Sequence, residues 1–242
     1  MTINSLISFL VTALITPICS AAAVIWSHLD PSGNRSHLIA RVWAKTLLMV
    51  SRVKVTIEGH DNLDPKGTYV FAANHSSVFD ILVLLAGLPV QFRWLAKEEL
   101  FHIPIFGLAM TKCGYIPVNR SSPRESVRSL RQAAARIRSG VSVIIFPEGT
   151  RSLDGRVGEF KRGGFTLAVL AGRPIIPVSI NGAHEVMPAK SLRITPHPIR
   201  IVLGRPIPTQ GLDRHGQDRL MEEVRQVIIK NCIPNSDSGR KN

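Results

Sequence analysis

Hydrophobic positions follow different rules in successive parts of the chain. From Ile3 to Trp26 nearly every residue is apolar or small, and no charged side chain precedes Asp30. A stretch of that length reaches across or deep into a bilayer. Pro17, in its middle, predicts a kink or a break. A cleaved signal peptide is a second reading, helped by Ala21, Ala22 and Ala23 but lacking Lys or Arg near the N-terminus. A buried core helix is a third. Next, from Ser36 to Val53, apolar Leu38, Ile39, Val42, Trp43, Leu47, Leu48 and Met49 interleave with basic Arg35, Arg41, Lys45 and Arg52. That pattern predicts an amphipathic helix at a membrane interface.

Beyond residue 53, short β-branched runs alternate with helical periodicity, which predicts an α/β domain. The expected strands are Val53–Glu58, Thr68–Ala73, Val141–Phe146, Ile175–Ile180 and Ile199–Leu203. A helix should begin at Ser122, where Ser-Pro-Arg-Glu forms a capping box around a first-turn proline. Val127, Leu130, Ala134 and Ile137 then form its apolar stripe, and Gly140 stands where the helix should end. A last helix is expected over Asp218–Ile229. The chain thus divides into membrane-anchoring helices over 1–52, a domain over 53–232 and a polar tail over 233–242.

Composition narrows the classes. The 242 residues are 45% hydrophobic and 19% charged, which excludes a disordered or fibrous chain. Cys19, Cys113 and Cys232 have neither metal-site spacing nor the density of a disulfide scaffold, and read as reduced thiols. A net charge of +13 calls for an anionic partner. Next to an apolar segment, an anionic leaflet uses that charge directly. No nucleic-acid-reading motif accompanies it, and the aromatic residues form no stacking series.

Four segments carry candidate chemistry. Asn74-His75-Ser76-Ser77-Val78-Phe79-Asp80 follows an expected strand. On one continuous helix, positions five apart point in different directions. With His75 in the loop and Asp80 in the first turns of the next helix, imidazole and carboxylate can meet, giving a general base with an orienting partner. By itself the spacing also suits a surface histidine. Gly114-Tyr115-Ile116-Pro117-Val118-Asn119-Arg120 puts Arg120 beside the capped helix start, where a phosphate would be favoured. An arginine closing an edge strand is the plainer reading. Phe146-Pro147-Glu148-Gly149-Thr150-Arg151-Ser152 follows the most β-branched run, at the kind of strand end where α/β proteins bind ligands. A turn with a Glu148–Arg151 surface pair is its plainer reading. Phe160-Lys161-Arg162-Gly163-Gly164 adds two cations beside glycines. Pro174-Ile175-Ile176-Pro177-Val178 has no titratable group and reads as a strand lining something apolar.

In this order, the blocks resemble those of the glycerolipid acyltransferases, most of all the bacterial lysophosphatidic acid acyltransferases. The resemblance covers roughly residues 50–210 and extends to Lys97-Glu98-Glu99-Leu100. It implies a single domain with a mixed β-sheet flanked by helices, behind a two-helix membrane anchor. It makes His75 and Asp80 the catalytic pair. Arg120 and the run Glu148, Gly149, Thr150, Arg151 become the phosphate-binding groups, and Lys97 a neighbour of the acyl carbonyl or the phosphate. The implied reaction moves a fatty acyl group from acyl-coenzyme A or acyl carrier protein to 1-acyl-glycerol 3-phosphate, giving phosphatidic acid. The implied setting is the cytoplasmic side of the inner membrane, among its phospholipids. Other lysophospholipids, a lyso-ornithine lipid and glycerol 3-phosphate remain possible acceptors. No cofactor or metal ion is expected, since a thioester is already activated, and no nucleic-acid partner.

Overall fold

The computed structural model describes residues 2–119 and 121–232. The expected tail and Arg120 lie outside them. In chain order the elements are α1 (Ile3–Ser27), α2 (Asn34–Val50), β1 (Val55–Glu58), β2 (Val70–Ala73), α3 (Phe79–Gly87), β3 (Arg93–Lys97), α4 (Phe106–Lys112), β4 (Ile116–Val118), α5 (Pro123–Arg138), β5 (Val143–Ile145), α6 (Arg162–Ala171), β6 (Ile175–Asn181), α7 (Ala183–Val186), β7 (Ile199–Leu203) and α8 (Arg214–Asn231).

The seven strands form one sheet in the order β1-β7-β6-β2-β5-β3-β4. Only the β6–β7 pairing is antiparallel, so the sheet is mixed, as expected. Strands β2, β5 and β6 are buried almost throughout, which is why they read as unbroken apolar runs rather than alternating ones. One face of the sheet carries Phe71, Ile144 and Ile176 under α1 to α4. The other carries Val70, Ala72 and Ile175 under α5, α6 and α8. Strand β3 escaped the sequence reading because Arg-Trp-Leu-Ala-Lys holds no β-branched residue and has a cation at each end, and Pro117 in β4 suits a strand only at an edge. Edge is where β4 lies. Helix α5 starts as its capping signal requires, with Ser122 Oγ accepting the Glu125 N–H at 3.2 Å. Helix α8 begins earlier than expected because Asp213 caps it, accepting from the Gly216 N–H at 2.7 Å.

Helix α1 is continuous through Pro17, so the expected break is absent. Its partner α2 braces it on both sides of the proline. Ser51 Oγ donates to Ser8 Oγ (3.2 Å), Trp43 Nε1 to Thr16 Oγ1 (3.0 Å), and Ser36 Oγ to the Ala23 carbonyl (2.7 Å). These contacts zip an antiparallel hairpin. The turn is tight: Gly33 has φ 75°, and a Cβ there would lie 2.8 Å from the Lys112 carbonyl oxygen. At the far end Ser5 Oγ accepts the Ile194 N–H at 2.8 Å. The helix is therefore held to the domain along one face for its whole length of about 37 Å.

That face is the polar one. Ser5, Ser8, Ser20, Ala23 and Ser27 are buried, whereas Ile3, Leu10, Leu14, Ile18 and Ile25 are exposed. Water would select the opposite arrangement. Helix α2 is not the one-sided interfacial helix of the sequence reading. Ala44, Leu47 and Leu48 enter the main core while Leu38, Val42 and Met49 point out. Arg41, expected on an outer basic face, reaches inward and donates to the Leu88 carbonyl at the end of α3 (2.6 Å). Helices α1 and α2 thus pack into the same core as one face of the sheet.

Fully buried His37 of α2 pairs its Nδ1 with the Tyr115 hydroxyl at 3.2 Å. Burial, reinforced by nearby Arg93 and Arg41, lowers its pKa to about 3. The unfolded chain takes up this proton near pH 6.5 and the folded chain does not. Stability should thus fall as the pH drops from about 6.5 towards 3, by up to about 1.4 kcal/mol per pH unit from this group. His37→Gln, which keeps a partner for Tyr115, should flatten the fall of melting temperature between about pH 6.5 and 4.5. An unchanged slope would contradict the assignment.

Candidate active site

Strands β2 and β5 lie side by side with Ala72 opposite Ile145. The loops leaving their carboxyl ends therefore emerge together. Asn74 prolongs the sheet with its side chain, accepting from the Ile180 N–H (2.8 Å) and donating to the Ile180 carbonyl (3.0 Å). Ser77 Oγ donates to the Met187 carbonyl (2.7 Å) and accepts the Phe79 N–H (3.2 Å). Two residues of the first block are thus spent on fixing the loop.

His75 occupies that loop and Asp80 the first turn of α3, the arrangement that lets them meet. His75 Nδ1 lies 2.8 Å from Asp80 Oδ2. The same oxygen accepts the backbone N–H groups of Ser76 (2.7 Å) and Ser77 (2.8 Å). Asp80 is fully buried in the first turn of α3. Its Oδ1 has no hydrogen-bond partner among the described residues. The imidazole stacks on Phe146, with centroids 3.9 Å apart and planes inclined by 13°. Trp94 stacks behind Phe146 at 5.7 Å. With Nδ1 engaged and the ring wedged, Nε2 has no hydrogen-bond partner among the described residues.

The ring edges a cavity of about 450 Å³ that runs between α3, α4 and the α1–α2 hairpin. Its walls include Ala23, Trp43, Leu82, Leu85, Phe106 and Met110. Lys97 stands at its edge, exposed and 3.4 Å from Glu99 Oε1. Cys113 lines it too, and burial pushes that thiol up to about 12. A second recess of about 340 Å³ lies beyond Phe146, which walls both. Val118, Ser126, Gly149, Lys161 and Gly163 line this one.

The block after β5 behaves differently from its sequence reading. Glu148 is buried rather than a surface partner of Arg151 or an outward-facing ligand. Its Oε1 accepts the His75 N–H (2.9 Å) and its Oε2 the Gly158 N–H (3.0 Å). Burial raises its pKa, opposed by those two N–H groups. The Ser152 N–H donates to the His75 carbonyl at 2.7 Å, so His75 is held on both sides of its backbone by the neighbouring loop. Gly149 turns the chain with φ 75°, and a Cβ there would lie 3.1 Å from Lys161 Nζ. Thr150 is exposed and Arg151 half-buried. Neither side chain has a hydrogen-bond or ion-pair partner among the described residues. Arg162 turns outward to Asp218 at 2.9 Å. Pro174–Val178 lines neither cavity: most of it is β6, between β2 and β7 in the middle of the sheet. Among the described residues, no three or more His, Cys, Asp or Glu side chains gather as metal ligands would.

Phe146, Asn74 and Ser77 were missed as site-shaping residues. Only Phe146 carried a signal, being an aromatic residue at the end of the most apolar strand.

Residues 54–181 match the model of the acyltransferase family. The chain is 38% identical over 198 residues to the chloroplast 1-acyl-sn-glycerol-3-phosphate acyltransferase LPAT1 of Arabidopsis thaliana, with 80% of this chain and 53% of that protein covered. It thus spans about half the length of the chloroplast relatives it matches. A 1-acyl-sn-glycerol-3-phosphate acyltransferase of Pseudomonas aeruginosa is 30% identical, with 83% of this chain and 81% of that protein covered. The crystal structure of the 1-acyl-sn-glycerophosphate acyltransferase PlsC from Thermotoga maritima superposes with a TM-score of 0.80 at 26% identity, covering 94% of this chain and 92% of that one.

In Asp80→Asn the amide oxygen can still accept from the three donors that meet Oδ2, whereas its NH2 group is buried where Oδ1 has no partner among the described residues, so the variant should be destabilised, but by less than Asp80→Ala. Asp80→Ala strands the Ser76 and Ser77 N–H groups and should lose about 2–4 kcal/mol in denaturant unfolding. Equal stability of the two variants would overturn the hydrogen-bond assignment.

Proposed function

The chain belongs to the acyltransferase family, and from that premise we propose that it acylates the sn-2 hydroxyl of 1-acyl-sn-glycerol 3-phosphate. The acyl donor is a thioester, acyl-coenzyme A or acyl carrier protein, and the product is phosphatidic acid. One observation carries this reading: an Asp80-braced His75 presents an unpartnered Nε2 beside a long apolar cavity.

His75 Nε2 takes the hydroxyl proton as the acceptor oxygen attacks the thioester carbonyl. Asp80 fixes the tautomer and stabilises the imidazolium, without itself taking the proton. The tetrahedral intermediate collapses, the C–S bond breaks, and the departing sulfur receives the proton from His75. Lys97 at the cavity edge and nearby backbone N–H groups are the candidates to meet the developing oxyanion, each donor contributing about 3 kcal/mol. No acyl-enzyme is needed. A Cys113 thiol with a pKa near 12 is a poor nucleophile, which supports direct transfer.

The two cavities divided by Phe146 suit the two ends of a lysophospholipid. The fatty chain fits the apolar cavity. The phosphate fits the recess of Gly149 and Lys161, with Arg151 and Thr150 on the adjoining turn. Arg120 belongs to the same phosphate-binding set by sequence. Glu148 acts in this scheme as the brace of the His75 loop. Binding the remote phosphate positions the hydroxyl at Nε2. The outward apolar face of α1 and the neighbouring cations Arg35, Lys45 and Arg52 support residence on an anionic leaflet, the cytoplasmic side of the inner membrane.

The test is free thiol release from palmitoyl-coenzyme A by the vesicle-bound protein, with and without lysophosphatidic acid. Release should require the lysophospholipid and disappear in His75→Ala. Release indifferent to the acceptor would mean a hydrolase, and release restored only by another lysolipid would reassign the acceptor. Arg151→Ala should raise the KM for lysophosphatidic acid roughly tenfold to a hundredfold with little change in kcat. An unchanged KM would put the phosphate elsewhere.

A further inference from the structure

Between β3 and β4 the chain runs through a 3-10 turn, Glu98–His102, and then α4. From Leu100 to Thr111 it contains no Asp, Glu, Lys or Arg. The two pieces meet at Ile105, which has φ 62° and ψ −53°. There the Phe106 N–H donates to the Pro104 carbonyl at 2.6 Å, closing a γ-turn with positive φ. This backbone is strained for a β-branched residue.

The strained turn sorts the side chains. Phe106, Ala109 and Met110 face the apolar cavity. Ile103, Ile105 and Leu108 face outward and are 46%, 53% and 49% exposed. Leu100 is both exposed and part of the cavity wall, and so is Val78 across the opening. Helix α4 packs beneath the C-terminal half of α1, since Thr16, Cys19, Ser20 and Ala23 share the cavity with it. The outward face of that half carries Leu14 and Ile18, 64% and 59% exposed. The loop therefore extends the apolar face of α1 as far as the cavity opening. At one end Glu98 and Glu99 separate the segment from Lys97, which pairs with Glu99 at 3.4 Å, and at the other Lys112 is placed as a cation that reaches back to headgroups.

We propose that the segment Leu100–Leu108 is a second membrane-inserting element, and that its occupant is the acyl-chain layer of a phospholipid leaflet. It rests on the membrane association proposed for α1. With both elements immersed, the cavity opens inside the leaflet, and a lipid chain passes into it sideways without crossing water. A leaflet fits better than a protein partner because the surface is continuous with α1 and offers no charged side chain for a specific contact.

The test uses the full chain carrying Cys19→Ser and Cys232→Ser; Cys113, 3% exposed, is buried out of reach of the reagent. Single cysteines at Leu108, at Leu10 of α1 and at Arg128 of α5 are labelled with an environment-sensitive fluorophore. Each is mixed with phosphatidylethanolamine/phosphatidylglycerol vesicles containing bromine-labelled acyl chains. The Leu108 label should shift to the blue and be quenched as strongly as the Leu10 label, while the Arg128 label is not. A quenched Leu10 label with an unquenched Leu108 label would overturn the proposal and leave the α1 reading intact. Loss of quenching at both would overturn both. A Leu108 label shielded without lipid, in proportion to protein concentration, would assign the surface to a second copy of the chain and so overturn the proposal. Ile103→Glu combined with Leu108→Glu, neither of which lines the cavity, should lower turnover of vesicle-borne acceptor about tenfold or more while sparing a short-chain, water-soluble one. Equal loss on both acceptors would also count against insertion.

Discussion

One buried carboxylate oxygen organises the site. Asp80 Oδ2 receives the imidazole of His75 and the backbone N–H groups of Ser76 and Ser77. The carboxylate could not afford burial without those donors, and the loop would have no fixed shape without the carboxylate. The surrounding contacts make the arrangement unique. Glu148 and Ser152 hold the two backbone groups of His75 from the β5 side. Asn74 ties the end of β2 to β6, and Ser77 ties the loop to Met187. Phe146 closes the ring face. A ring so confined needs no reorganisation when a substrate arrives, which is the condition that the proposed general base requires.

A second constraint comes from the N-terminal hairpin, which is built with its polar stripe inward. Ser8, Thr16 and Ala23 meet Ser51, Trp43 and Ser36 through hydrogen bonds, beside the apolar contacts of Phe9, Val11, Ile15 and Val24 with the core. Leu10, Leu14 and Ile18 are left outside. Between helices in an apolar medium, small residues and hydrogen bonds are what favour association, because burying hydrocarbon gains nothing there. The same hairpin supplies one wall of the cavity, so the surface proposed to meet lipid and the space beside His75 are built from the same two helices.

Much of this was legible in the sequence, for identifiable reasons. The capping box at Ser122 forecast α5 because caps act locally. The β-branched runs forecast β2, β5 and β6 because these central strands are buried on both faces, and β1 and β7 because their apolar residues alternate with polar ones. The His75–Asp80 pair required only a loop followed by a helix start. What stayed hidden depends on tertiary contact. A continuous α1 needed braces from α2 on both sides of Pro17. The inward role of Arg41 needed the end of α3 beside it. Glu148 looked like a ligand by position and proved to be a brace, since only the pairing of β2 with β5 brings its oxygens to the backbone of His75. Strand β3, Arg93–Lys97, holds no β-branched residue for the pattern to register.

The central claim is that Asp80 holds His75 in the tautomer with its proton on Nδ1, leaving Nε2 to face the substrate. The most direct measurement is the long-range nitrogen–proton correlation spectrum of histidine-labelled protein, with His75 assigned by its absence in His75→Ala. At neutral pH the account predicts the Nδ1-protonated tautomer, a downfield proton hydrogen-bonded to Asp80, and loss of that signal in Asp80→Ala. An Nε2-protonated ring, or a tautomer unaffected by Asp80→Ala, would contradict it.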